Sequence, residues 1–172
     1  MTNSTAPLVF VTVGTDHHPF ARLVDWIERW SHRAPDVRIM VQYGTAPAPQ
    51  SVEGRAFVEP IEFRALLEEA DAIVCSGGPG AIMETRAAGL RPIVVPRHAS
   101  LGEHVDDHQR SFADFMAQRD LVTLADDEPA LDAALDALLT DTDVHRIDRD
   151  ATTASGIDRI GALIDDLVRG SA

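Results

Sequence analysis

The stretch ADAIVCSGGPGAIMETRAAGLRPIVVP, Ala70 to Pro96, decides the fold of this chain. Its apolar run Ala72 to Cys75 predicts a strand, followed by a loop, Ser76 to Gly80, holding three glycines and a proline. A helix is expected from about Gly80 to Gly89, with Glu84 one turn in, and a second strand from Pro92 to Val95. A glycine-rich loop at a helix start aims free backbone N–H groups and the positive end of the helix dipole at one spot, which suits phosphate. A carboxylate one turn further along is placed to accept hydrogen bonds from sugar hydroxyls. The combination points to a nucleotide-sugar pocket. The plainer reading makes the loop a tight turn and Glu84 a solvent-facing carboxylate. Three glycines and Pro79 exceed what a turn requires, which favours a ligand.

Working outward, short β-branched runs alternate with longer helical ones. Leu8 to Val13 reads as a buried strand broken by Gly14-Thr15. Phe20 to Trp30 then places Phe20, Leu23, Val24, Ile27 and Trp30 at helical spacing. Val37 to Tyr43 is a second strand, Thr45 to Gly54 a loop, Phe57-Val58 a brief third strand and Ile61 to Ala70 a short helix. Beyond Val95, a loop from Arg97 to Gly102 leads to a helix over Glu103 to Gln118. A strand at Leu121 to Leu124 and a helix over Pro129 to Leu139 follow. The acidic run Asp126-Asp127-Glu128 reads as a solvated helix start, and Ile157 to Val168 as an amphipathic tail. Strands alternating with helices imply βαβ units, hence an α/β, doubly wound, mainly parallel sheet. In such sheets ligands bind beyond the carboxyl ends of the strands, where the strand order switches. Both glycine loops follow strands and are expected on that edge.

The chain has 172 residues, 45% of them hydrophobic, enough for one well-buried domain and too few for two. A net charge of −13 argues against nonspecific nucleic-acid binding, which needs clustered Lys and Arg. The single cysteine, Cys75, excludes a disulfide framework and fits a reducing cytoplasm. The start MTNSTAP lacks the pattern of a signal peptide. No apolar run approaches the roughly 18 to 20 residues of a membrane span, so membrane association is expected only through a partner.

VFVTVGT at Val9 to Thr15, the Ala70–Pro96 stretch and DDHQ at Asp106 to Gln109 together resemble the C-terminal, donor-binding domain of family 28 glycosyltransferases. The small size is most similar to the stand-alone subunits of that family. The resemblance covers roughly Leu8 to Leu124 and implies a Rossmann-like half of a GT-B fold. It also implies transfer from a UDP-sugar to a lipid-linked acceptor in glycan or polysaccharide biosynthesis, with a membrane-associated partner chain supplying the acceptor half. By position, it assigns Gly78, Gly80 and the following N–H groups to the donor diphosphate, within a loop of Ser76, Gly77, Gly78, Gly80 and Ala81. Gly14 and Thr15 flank the phosphates, Glu84 holds the ribose, and His108 with Gln109 contacts the donor sugar. The sequence departs from the family at Ser76, where a basic or imidazole residue is common, and at Ala81, where Ser or Thr is common. Arg97 is expected as a compensating cation. Such enzymes stabilise the leaving group with N–H groups and cations, so no cofactor and no essential metal is expected.

The G-x-G-x-x-G dinucleotide fingerprint is missing after the first strand, which argues against an NAD site. His17 and His18, next to Pro19, read either as a polar pair facing water or as imidazoles meeting phosphate or acceptor. The resemblance leaves the general base open between the partner chain and this one, where His17 and Asp16 are the candidate catalytic residues. His104 and His108 have metal-ligand spacing on the expected helix but no cysteine nearby, so zinc is not expected there. Trp26 and Trp30 are either core anchors or part of an exposed stripe. The alternative to a transferase subunit is a non-catalytic sugar-nucleotide-binding module that stabilises or regulates a partner.

Overall fold

A computed structural model describes residues 6–147; the amphipathic tail from Ile157 lies outside them. Six strands, all parallel, form one sheet in the order β3-β2-β1-β4-β5-β6. They are β1 (Leu8–Thr12), β2 (Arg38–Gln42), β3 (Glu53–Arg55), β4 (Ala72–Ser76), β5 (Ile93–Val95) and β6 (Thr123–Leu124). The helices are α1 (Ala21–Ser31), α2 (Pro60–Glu69), α3 (Pro79–Ala87), α4 (His108–Ala117) and α5 (Glu128–Thr140). The α/β, doubly wound expectation holds. No helix among the described residues is long and apolar enough to cross a membrane.

Every residue of β1 and β4 is buried, because both strands carry helices on each face of the sheet. Alternate side chains serve opposite layers. Val9, Val11 and Val13 join α1 and α5 through Leu23, Ile27, Trp30, Leu131 and Leu135. Leu8, Phe10 and Ile73 pack with Leu66 and Leu67 of α2. Cys75 and Val94 pack with Ile82 of α3 and Met116 of α4. Trp30 is a core anchor whose indole N–H donates to Asp136 at 2.8 Å. Trp26 is partly buried against the same cluster.

Two elements differ from the sequence reading. The third strand is Glu53–Arg55, not Phe57-Val58. It is an exposed edge strand without an apolar signal, fixed by backbone pairing to β2, and Phe57 is 55% exposed. The fourth helix starts at His108, not Glu103. Gly102 takes a left-handed conformation that closes a short 3-10 turn over Ala99–Leu101, and the Asp106 carboxylate accepts from the His108 N–H at 3.0 Å. His104 therefore lies in a loop, and the supposed i, i+4 histidine pair is not on one helix. The acidic run does start a helix: Asp127 caps α5 by accepting from the Ala130 N–H at 2.9 Å.

The chain walks outward from β1 to β3, then returns to place β4 on the other side of β1. The strand order switches between β1 and β4, so the loops after these two strands splay apart and leave a crevice.

Candidate functional site

That crevice is a cavity of about 330 Å³. Its β1 side is Val13, Gly14, Thr15 and Asp16; its β4 side is Ser76, Gly78, Gly80 and Ala81; Arg97 and Gln109 complete the wall. Nine of the residues singled out from the sequence, Asp16 among them, thus meet where the strand order switches.

On the β4 side, Gly78 caps α3 without any side-chain hydrogen bond, and Pro79 at the first helical position has no N–H to satisfy. The Gly80 and Ala81 amides fall among the four N–H groups that a helix leaves without internal partners. A Cβ on Gly80 would meet nothing within 4 Å, so the backbone there is open to a ligand. Gly77 does different work. A Cβ there would lie 2.6 Å from the Gln109 carbonyl oxygen, so this glycine lets the first turn of α4 approach the loop. That approach puts Gln109 in the wall, with its Oε1 buried and unpartnered among the described residues.

Glu84 lies outside the immediate wall. It is exposed, and its carboxylate makes no hydrogen bond or ion pair among the described residues. Three residues beyond Ala81 and four beyond Gly80, it occupies the same helix face one turn along. His108 does not join the wall: its side chain is 80% exposed and its Nδ1 sits 2.8 Å from Asp106. The structure therefore separates the two residues of the His-Gln pair.

On the β1 side, Gly14 has φ of +80°, a value that glycine adopts without strain. Its N–H donates to Thr12 Oγ1 at 3.1 Å and its carbonyl accepts from Gln42 Nε2 at 3.3 Å. Asp16 Oδ1 accepts from both the N–H and Nδ1 of His18, at 2.8 and 2.7 Å. Burial raises the Asp16 carboxyl pKa, but the two His18 hydrogen bonds and the charge of Arg97 outweigh it, so the group is held below its usual range. His17 is exposed and its ring packs on that of His18, with centroids 4.0 Å apart.

Arg97 is wholly buried, and its guanidinium is engaged with the protein itself. Nη1 donates to the carbonyls of His18 at 2.7 Å and Glu103 at 2.8 Å, and Nη2 to that of Val13 at 2.6 Å. It also lies 4.7 Å over the Phe20 ring. Burial lowers its pKa, opposed by Asp16 and Glu103. Expected as a cation for phosphate, Arg97 serves in this structure as the brace that fixes the β1 loop. Sequence reasoning missed the neighbour that supports it. Glu103 takes a two-pronged pair from Arg22, with Nε and Nη2 both at 2.8 Å, and accepts from the His98 N–H at 2.9 Å. Arg22 and Glu103 lie 81 positions apart, and no local pattern joins them.

The family model of the glycosyltransferase family 28 C-terminal domain matches residues 8–159. A comparison with curated protein sequences gave no match. Among solved structures, the glycosyltransferase of kitacinnamycin is similar over 82% of this chain and 36% of its own, at 23% identity and a TM-score of 0.62. MurG of Acinetobacter baumannii is similar over 81% of this chain and 42% of its own, at 19% identity and a TM-score of 0.58. The solution structure of ALG13 is similar over 85% of this chain and 92% of its own, at 18% identity and a TM-score of 0.55. The chain spans about two fifths of the length of the first two, and nearly all of the third.

Proposed function

The chain belongs to glycosyltransferase family 28 as a C-terminal domain, and from that premise we propose that it is the donor-binding subunit of a two-chain transferase. The donor is a UDP-sugar. The acceptor is lipid-linked and is held by a membrane-associated partner chain. The observation that carries this reading is the uncapped start of α3, with open backbone at Gly80 and an unpaired Glu84 carboxylate one turn along the same face. The diphosphate takes the free N–H groups of Gly80 and Ala81, the ribose takes Glu84, and the sugar extends toward Gln109. Support for a subunit of this size comes from the similarity that spans 92% of the ALG13 structure.

In the reaction an acceptor hydroxyl forms the new bond to the anomeric carbon as the bond to the diphosphate oxygen breaks. The electron pair leaves on the diphosphate, where preoriented N–H groups stabilise it, and the hydroxyl proton passes to a base. The partner chain supplies that base, with Asp16 and His17 as the local alternatives. Co-expression with an acceptor-half chain, followed by a screen of UDP-sugars against lipid-linked acceptors, tests this. Transfer from one donor supports it. UDP binding without transfer from any donor would leave the binding-module reading in its place.

A further inference from the structure

We propose that Asp16, His17 and His18 form a binding site for a divalent transition-metal ion of the zinc class at the mouth of the cavity, closed by His104 from the loop before α4. One ligand atom from each of the first three residues lies within 4.8 Å of the other two. The fourth comes from a different loop: His104 Nε2 sits 3.6 Å from Asp16 Oδ2. Ligand atoms around a tetrahedral zinc with bonds of about 2.0–2.1 Å stand about 3.4 Å apart, so that spacing needs little adjustment.

Three features beyond proximity favour an ion. One oxygen of the Asp16 carboxylate faces His104, while the other meets His18. Behind His104, the Asp106 N–H donates to its Nδ1 at 3.4 Å, which holds the ring with Nε2 toward Asp16. The donor set is three imidazoles and one carboxylate, which suits zinc, cobalt or nickel and does not suit magnesium or calcium. The histidine spacing noticed in the sequence, His104 with His108, is not the one used. The fold instead brings His104 to His18, with ring centroids 6.1 Å apart.

The location gives the ion a role. Asp16 belongs to the cavity wall, and the guanidinium that the described residues place in that wall, Arg97, is committed to backbone carbonyls. An ion on Asp16 adds positive charge to the side of the cavity that faces the start of α3.

The test uses the full chain, free of any affinity tag and stripped with chelator, and needs no sugar donor. Its outcome is therefore separate from that of the transferase reading. Calorimetric titration with Zn²⁺ should show one ion per chain at about micromolar affinity or tighter, and Co²⁺ should give a visible ligand-field band. Asp16→Asn and His18→Gln should each weaken Zn²⁺ binding by about tenfold or more, with a smaller loss in His104→Gln. His32→Gln, an exposed position after α1, should leave it unchanged. No Zn²⁺ uptake at about 100 μM, Mg²⁺ binding as tight as Zn²⁺, or full affinity in Asp16→Asn and His18→Gln would overturn the proposal. If those two variants misfold by circular dichroism, His17→Gln decides, since its side chain is exposed and, among the described residues, packs on the His18 ring alone. Unchanged affinity in His17→Gln then counts against the site.

Discussion

The two loops that face each other across the crevice are built on opposite plans. The loop after β1 is rich in polar side chains and is held by other elements: Arg97 grips the Val13 and His18 carbonyls, while Thr12 and Gln42 hold Gly14. The loop after β4 offers almost no side chains. Its shape and the groups it turns to the cavity are backbone: Gly77 admits α4, and Gly78 and Gly80 leave the start of α3 uncovered. The first plan is vulnerable to losing a clamp and the second to gaining a methyl group. Each loop can therefore be broken without touching the other.

Arg97→Leu should have the largest effect. It leaves three carbonyls of the β1 loop and the α4 approach without their donor, and each buried unsatisfied acceptor costs about 1–3 kcal/mol. Relief from burying the charge offsets part of that, leaving a net loss of about 2–4 kcal/mol, read from the urea midpoint. A midpoint within error of the unmodified chain would mean that the β1 loop stands without its brace.

Gly77→Ala strikes the other plan. Its methyl would sit 2.6 Å from the Gln109 carbonyl oxygen and 3.0 Å from the carbonyl carbon, and backbone cannot swing aside as a side-chain tip can. Overpacking of this kind costs about 1–3 kcal/mol. The urea midpoint should fall, and Gln109 should shift out of the cavity wall. Equal stability would show that α4 is free to slide, and that its contact with the β4 loop is incidental.

Glu84→Ala should separate binding from folding. The side chain is exposed and unpaired, so stability should stay within about 0.5 kcal/mol. UDP affinity, followed by calorimetry, should fall by about tenfold, or about 1.4 kcal/mol. Unchanged UDP affinity would remove the ribose role and leave the β4 loop as an anion site without a sugar contact.

The contrast between the loops also explains what the sequence could and could not reveal. The β4 loop is written locally: an apolar strand, three glycines, Pro79 at the helix start and Glu84 at helical spacing all lie within the thirteen residues Ala72 to Glu84. Its strand, helix and place beside the cavity were readable for that reason. The β1 loop is written across the chain. Arg97 looked like a ligand-binding cation, and only the fold shows it turned on carbonyls 84 and 79 positions away. The sequence pattern places His104 on a helix because nothing local announces that Gly102 turns left-handed and delays α4 to His108. The edge strand Glu53–Arg55 was missed for a related reason. It buries no side chain, so its only determinant is the backbone pairing offered by β2.

Gly80→Ala is the finest probe of the backbone plan, because it adds the same methyl three positions from Gly77 with the opposite structural consequence. No heavy atom lies within 4 Å of the new Cβ, and alanine is favoured over glycine in a helix by up to about 1 kcal/mol. Position 80 is only the second residue of α3, so the gain should be a fraction of that and the melting point should hold or rise slightly. The methyl does occupy space beside the N–H groups assigned to the diphosphate. UDP affinity should therefore drop a few-fold while stability does not. If affinity and stability both hold, the diphosphate does not approach the backbone at Gly80. The anion-binding role would then pass from the β4 loop to the β1 loop, where Gly14, Thr15 and a cation on Asp16 would have to carry it.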